Sequence, residues 1–251
     1  MKVFDLLFEL ANSDRLKIMF LAEKQNLKLS HISKKLDMTV AETSRHLQRL
    51  SEAKLLEKDS EGLYEITPFG KLTLSLIPSF DFISKYNDYF AAHSLSRLPY
   101  EFVCRIGNLT NCTFTNDVMI AFNDVEILIE EAQEYVWILS NQILMSTVPL
   151  LEKAAKRGVN LRFILPDDLI PPPGYKPLPA IPNKIERRDL QKVNQVIVVS
   201  EKRARLFFPF GDEKMDYAGF ASTDELGHNW CRDLFMHYWA DAKRVSLKTA
   251  T

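Results

Sequence analysis

The chain has 251 residues, 46% of them hydrophobic, enough to bury a sizeable core in one or two domains. With 32 Lys+Arg against 33 Asp+Glu the formal net charge is -1, which excludes a global basic field for nucleic acid and leaves any such binding to a local patch. The three cysteines, Cys104, Cys112 and Cys231, form no close pair, which argues against a disulfide scaffold and fits a reducing cytosol. No apolar run reaches the length of a membrane span and the N-terminus lacks a signal-peptide pattern, so the expectation is a cytoplasmic protein with no membrane partner.

In chain order, residues 3–11, VFDLLFELA, predict an apolar helix. Ser13-Asp14 is placed to cap a second, RLKIMFLAEK, with Leu16, Met19 and Phe20 available for a core. Residues 29–36, LSHISKKL, put Leu29, Ile32 and Leu36 on one helical face, and Asp37 and Met38 make a turn. Thr39 then opens a helix through Ala53. Thr39 and Glu42 have capping-box spacing, in which each side chain satisfies a free N–H at the helix start. Val40, Leu47, Leu50 and Ala53 predict its apolar face, and Thr43, Arg45, His46, Gln48 and Arg49 its outward one. Residues 55–58 and 63–67 predict two strands joined by the turn at 59–62.

Helix, turn, helix, hairpin in this order resembles a winged helix-turn-helix DNA reader. The run LANSDRLKIMFLAEK, then TSRHLQRLSEAKLL and YEITPFG, is similar to the start of ArsR-like regulators. The resemblance implies double-stranded DNA as partner, through Lys34, Lys35, Thr39, Thr43, Arg45, His46, Gln48, Arg49 and Lys58. The helices lack a metal-thiolate motif, so metal sensing does not carry over. Asp59 and Glu61 make the wing tip acidic, which shifts the grip on phosphate to Arg45, Arg49, His46 and the Lys34-Lys35 pair. Residues 1–78 hold 12 Lys+Arg and 11 Asp+Glu, so the same charges also fit a merely solvated helix face.

Residues 71–77 restart as helix, Pro78 interrupts it, and 79–93 carry Phe80, Ile83, Tyr86 or Asn87, and Phe90 near helical spacing. This stretch is the expected linker, its stripe packing within the chain or forming a dimer seam. PYEFVCRIG predicts a short helix and NLTNCTFT a strand. Residues 117–134 predict an amphipathic helix with Val118, Phe122, Val125, Ile129 and Ala132 on one side. YVWILS, a helix over 146–156, the helix stop Gly158 and NLRFIL then predict a parallel strand–helix–strand crossover. KIERRD, QVIVVS, ARLFFPF and YAGFAS supply further strands. Ser222 and Glu225 have the spacing of a second capping box, ahead of a terminal helix with Leu226, Trp230, Leu234, Tyr238 and Trp239 inward. Residues 166–182 hold 7 of the 12 prolines, an extended segment that reads equally as a lid beside the sheet or a solvated excursion.

LEKAAKRGVNLRFIL resembles the corresponding unit of phospholipase-D-like domains, whose chemistry needs His-x-Lys. His31, His46, His93, His228 and His237 are all followed by other pairs, so the resemblance implies the fold without its catalysis. The chain shows no phosphate loop, metal cluster or cofactor motif, so no catalytic residue, metal or cofactor is assigned. YFAAHSLSRLPYEFVCRIGNL and NWCRDLFMHYWADA are similar to archaeal winged-helix regulators with a methanogenesis-regulator-type sensor domain.

The expected fold is therefore α+β with an α/β part. A winged helix-turn-helix at 1–70 joins, by a helical linker at 71–94, an α/β sensor or dimerisation domain with a mixed, partly parallel sheet at 95–251. Ligands of such sheets sit beyond the carboxyl ends of the strands, which points to Ser140, Asn141, Gln142, Tyr175, Arg187, Arg188 and Trp230 for a small-molecule effector. The function expected is a homodimeric, DNA-binding transcriptional regulator and not an enzyme. The alternatives are a phosphodiesterase using an unrecognised site and a protein-interaction adaptor that has lost DNA.

Overall fold

In the computed structural model, which describes residues 1–179, 181, 184–211 and 214–244, the chain divides into two units, Met1–Phe80 and Asp81–Thr251. The first unit contains α1 (Val3–Leu10), α2 (Ser13–Lys24), β1 (Leu27–Lys28), α3 (Leu29–Leu36), α4 (Val40–Glu52), β2 (Leu56–Lys58) and β3 (Leu63–Ile66). The helix α5 (Pro68–Lys85) begins there and ends in the second unit. Helices α2, α3 and α4 close on a core in which Ile18, Met19, Ile32, Leu47, Leu50 and Leu55 are fully buried. Asn12, rather than Ser13-Asp14, caps α2, its Oδ1 accepting from the Arg15 N–H at 3.0 Å. Phe20, expected inside, is exposed, and Ile18 fills that place.

The predicted hairpin forms. β2 and β3 pair antiparallel, and β1 adds a third strand on the other side of β3, giving the order β1-β3-β2. β1 is two residues long, too short for alternation to reveal it. Gly70 lets α5 pass close under the hairpin, since a Cβ there would stand 2.2 Å from the Leu55 carbonyl oxygen. α5 also runs unbroken through Pro78, where the sequence predicts an interruption. Its apolar residues are buried on both sides of the proline, Leu74 before it and Phe82 after, and this packing outweighs the break that Pro imposes on an unsupported helix.

The second unit contains α6 (Asn87–Ala92), α7 (Tyr100–Cys104), β4 (Thr113–Thr115), α8 (Val118–Glu131), β5 (Tyr135–Leu139), α9 (Val148–Lys156), β6 (Asn160–Pro166), β7 (Ile185–Leu190), β8 (Val196–Ser200), β9 (Ala204–Phe207), β10 (Gly219–Ser222), α10 (Glu225–Asp241) and β11 (Lys243–Arg244). One mixed sheet has the order β11-β7-β6-β5-β8-β9-β10-β4, with β5, β6 and β7 parallel and the other pairings antiparallel. One sheet face carries Val136, Leu161, Val196, Val198 and Phe207 against α8 and α9. The other carries Leu139, Ile164, Ile197, Val199 and Leu206 against Trp230, Leu234 and Phe235 of α10 and an aromatic cluster built on Phe82, Tyr86, Tyr89 and Phe220. Strand alternation makes this division, since successive residues point to opposite faces.

Three local expectations change. Phe80 and Ile83 are exposed, and Phe82 takes the inward place in that stripe. Val118 is exposed at the start of α8, where Asp117 caps the helix by accepting from the N–H groups of Met119 (2.8 Å) and Ile120 (3.1 Å). The second capping box does not form: Asp224 is the N-cap of α10, and the Ser222 hydroxyl donates to its carboxylate at 2.7 Å. Leu226 consequently faces outward. Among the described residues no helix is long and apolar enough to cross a membrane.

Candidate nucleic-acid interface and ligand cavity

The connection from α3 to α4 is fixed at three points. Asp37 takes the left-handed conformation at φ 52°, which ends α3. The Met38 N–H donates to the Ser33 carbonyl at 3.0 Å, and the Ser33 hydroxyl donates to the Met38 carbonyl at 2.8 Å. The capping box then starts α4, with Thr39 Oγ1 accepting from the Glu42 N–H at 3.2 Å and the Thr39 N–H donating to Glu42 Oε2 at 3.1 Å. The Thr39 hydroxyl, which donates to Glu42 Oε2 at 2.8 Å, lowers the Glu42 pKa most, followed by the Thr39 N–H. A helix entered through so many bonds holds a set angle to the rest of its unit.

Thr43, His46, Leu47 and Leu50 form the inward face of α4. Thr43 is completely buried and its hydroxyl donates to the Thr39 carbonyl at 2.9 Å; His46 is 8% exposed. Both were expected to face outward, and Val40, expected inward, is 61% exposed. The reason is geometric: positions 43, 46, 47 and 50 are the i, i+3, i+4, i+7 set around Leu47, whereas 40 lies beyond the buried turn. Ser44 takes an outward place that the sequence reading missed, together with Arg45 and Gln48. A wheel drawn from Leu47 and Leu50 alone would have found it.

The expected cations divide into two groups. Arg45, Lys34 and Lys35 are exposed, and Arg45 forms no salt bridge among the described residues. Lys58 is exposed beside the Tyr64 ring, 5.5 Å from its centroid. Arg49 instead pairs with Glu9 of α1: its Nη2 donates to Glu9 Oε1 and its Nε to Oε2 at 3.1 Å. The buried Arg15 lies on the same carboxylate, Nε to Oε2 at 3.1 Å. The Arg49 hydrogen bond holds the Glu9 carboxyl below its usual range, and Glu9 in turn raises the Arg49 pKa. Gln48 is free to turn outward at the cost of a surface bond to Glu52 at 2.8 Å. Burial, followed by Arg15 and Arg45, lowers the His46 pKa, and its Nδ1 has no hydrogen-bond partner among the described residues.

Residues 12–58 match the family model of bacterial regulatory proteins of the arsR family. They form an ArsR-family helix-turn-helix domain. No curated protein matches the chain. Among solved structures, the archaeal chromatin protein TrmBL2, whose description states a novel mode of DNA binding, is 14% identical over 88% of each chain with a TM-score of 0.41. NucT from Helicobacter pylori is 14% identical over 59% of this chain and 95% of its own, with a TM-score of 0.38. Nuc from Salmonella typhimurium, a phospholipase D family member, is 9% identical over 49% and 90%, with a TM-score of 0.34. The family match supports a DNA-binding regulator; the structural similarities are too distant to bear on function.

In the unit that follows the ArsR-type domain, a cavity of about 800 Å³ lies over β5, β6 and β7 on the sheet face that carries α8 and α9, and it extends to residues 140–147 past the carboxyl end of β5. The connection from β6 to β7 is a crossover between parallel strands, a place ordinarily filled by a helix. Here the proline-rich segment makes it, and Pro171, Tyr175 and Pro177–Pro179 wall the cavity in. Ala180 and Pro182 of that segment lie outside the described residues.

Of the expected ligand residues, Ser140, Gln142, Tyr175 and Arg187 all line this cavity. Asn141 does not. Arg188 faces the other side of the sheet, as its alternation with Arg187 requires. Its guanidinium lies over the Trp239 ring, 4.3 Å from the centroid, and its Nη1 donates to the Trp239 carbonyl at 2.5 Å. Trp230 is completely buried on that other side, its indole N–H donating to the Phe102 carbonyl at 3.2 Å. Tyr217 lines the cavity without having been foreseen, because it reaches it only through the tertiary fold.

Among the described residues no histidine lines the cavity. His228 shares a 2.6 Å hydrogen bond with the Ser200 carbonyl, His237 pairs with Glu101 at 3.1 Å, and His93 lies between the Tyr89 carbonyl and Asp216. Cys112 and Cys231 are buried, which pushes the Cys112 thiol up to about 11 and Cys231 well above its ordinary value. Such thiols stay protonated and are poor nucleophiles. Among the described residues no group of side chains suits a metal ion.

Proposed function

We propose that this chain is a homodimeric, sequence-specific DNA-binding regulator whose second domain binds an effector. In this proposal residues 1–70 are the DNA-binding head, 71–94 a helical connector and 95–251 the sensor. The observation that carries it is the outward face of α4. That face is held at a set angle by its cap, and it presents Ser44, Arg45 and Gln48 with the Lys34-Lys35 pair exposed at the end of the preceding helix. A helix presented in this way fits the major groove, its polar groups meeting base edges and its cations phosphates.

Pairing of two copies is supported by apolar surface that the first unit leaves in solvent. Val3, Phe4, Leu7 and Phe8 of α1 are 48–70% exposed, and Leu72, Leu76 and Phe80 of α5 are 55–64% exposed. The α1 positions recur on one side of the helix, and those of α5 lie one turn apart along one face. Surface of this kind marks an interaction site more often than scattered single residues do. A dimer would set two α4 helices about 34 Å apart on a palindromic site. An effector would act by binding one arrangement of the two heads more tightly than another. Selection of bound fragments from random duplex DNA with the purified chain tests this directly. A two-fold symmetric motif is the expected result; recovery of no enriched sequence would overturn the reading.

A further inference from the structure

We infer that the cavity beneath residues 171–179 takes an uncharged, predominantly apolar molecule whose polar end is a hydrogen-bond acceptor, such as a ketone, ester or quinone carbonyl. The inference deepens the proposed effector role but concerns binding alone, which does not require DNA.

Size comes first. About 800 Å³ lies within the range of small-molecule sites and holds on the order of 25 water-sized groups. Aliphatic and aromatic side chains supply most of the wall, among them Ile138, Leu151, Phe163, Val198 and Phe207. An apolar space of this size is poorly filled by water, which needs several polar partners.

Charge decides the class. Arg187 is the cation on the wall, and it is already neutralised: its Nε and Nη2 donate to Asp189 at 2.8 and 3.3 Å. A carboxylate ligand would bring a second anion to a site whose cation is already matched. Leaving a charge uncompensated in an apolar site is strongly unfavourable. An uncharged ligand avoids that cost.

The remaining polar groups set the ligand's polar end. Ser140 Oγ donates to the Gln142 carbonyl at 2.8 Å and Thr147 Oγ1 to the Leu144 carbonyl at 2.7 Å, so both hydroxyl protons are used locally. Among the described residues the wall groups left without a hydrogen bond are mainly donors, the Nη1 edge of Arg187 and the hydroxyls of Tyr175 and Tyr217, joined by the side-chain amide of the exposed Gln142, which can donate as well as accept. Tyr217 is unusual in a second way. It sits at φ 59°, a conformation that is strained for an aromatic residue, and it is wedged between Phe122 (4.8 Å between ring centroids) and Phe207 (5.6 Å). Burial raises its pKa to about 12, so its hydroxyl remains a donor. Strain of this kind persists where the surroundings over-determine it, commonly at binding sites.

The test uses the full chain without DNA and Nile red as an uncharged fluorescent probe. Displacement is measured with a matched pair, 2-undecanone and undecanoate. Binding of the probe is expected, with the ketone displacing it at a concentration at least about tenfold lower than the carboxylate. Ile138→Trp, which narrows the cavity, should weaken probe binding at least about fivefold. Tyr175→Ala, on the connecting segment and therefore safe for folding, should weaken it about fivefold. Absence of probe binding to the wild-type chain overturns the inference. So does equal or better displacement by undecanoate, or full binding retained in both variants. Loss of DNA binding in a separate gel shift would defeat the regulator proposal while leaving this result unaffected.

Discussion

The outward face of α4 and the cavity beneath the proline-rich crossover are both candidate binding surfaces, and they are built in opposite ways. The helix face is made from one continuous stretch: a cap, a turn and an apolar set on Leu47 and Leu50 leave Ser44, Arg45 and Gln48 in solvent. The cavity draws one or two residues from each of α8, β5, α9, β6, β7, β8 and β9, and others from the β6–β7 crossover, which carries no helix among the described residues. The first surface is charged and exposed, so salt should govern what it binds. The second is a mainly apolar, partly open cavity, so shape and desolvation should govern it. A chain with one of each can couple a salt-sensitive contact to a salt-insensitive one.

The contrast breaks most sharply on the buried side of α4. Leu50→Ala should cost about 2–5 kcal/mol of stability in denaturant unfolding, because Leu50 is completely buried in the first unit's core. Val40→Ala, on the exposed side, should change stability by less than about 0.5 kcal/mol. If the two cost the same, the orientation of α4 is wrong. Thr39→Ala removes the cap and should cost about 1 kcal/mol in the same measurement, with Glu42→Ala smaller.

A smaller effect concerns pH. The pKa of His46 is lowered in the folded protein, chiefly by burial, so the folded state binds its proton more weakly than the unfolded chain, in which histidine titrates at about 6.5. Its contribution is therefore present above that pH and lost as the pH falls through the folded value. Thermal unfolding of the wild type should show a loss of stability on acidification that is shallower in His46→Gln. An identical slope would show that the ring is not sequestered. The smallest expected effect is at the wing. Lys58→Ala should reduce the salt slope of DNA binding less than the same change at Arg45, because Asp59 and Glu61 flank the hairpin tip.

These two surfaces also differ in how far the amino-acid sequence discloses them. The capping box at Thr39 and Glu42, the turn at Asp37 and the hairpin from Leu56 to Ile66 depend on neighbours in sequence, and all three form where spacing places them. The error there was rotational. Val40 widened the apolar face the wrong way, whereas Ala53 does pack at the edge of the core, and Thr43 and His46, expected outward, are buried. Thr43 tolerates burial because its hydroxyl finds the Thr39 carbonyl one turn back. In the second unit, Ser140, Gln142 and Arg187 were legible from the rule that pockets lie beyond parallel strand ends. Tyr217 and Thr147 were not, since no local pattern tells that their elements converge on one space. Arg188 and Trp230 were misplaced for a simpler reason: a strand's two faces differ by one residue, and which face carries the pocket is settled only by the helices that cover the other.

The most direct test of the central claim is the salt dependence of DNA binding for the wild type and Arg45→Ala, measured on a fragment the wild type selects. If α4 lies in the groove with Arg45 on a phosphate, the variant binds more weakly and its slope of log affinity against log salt flattens by about one unit. An unchanged affinity and an unchanged slope would contradict the account.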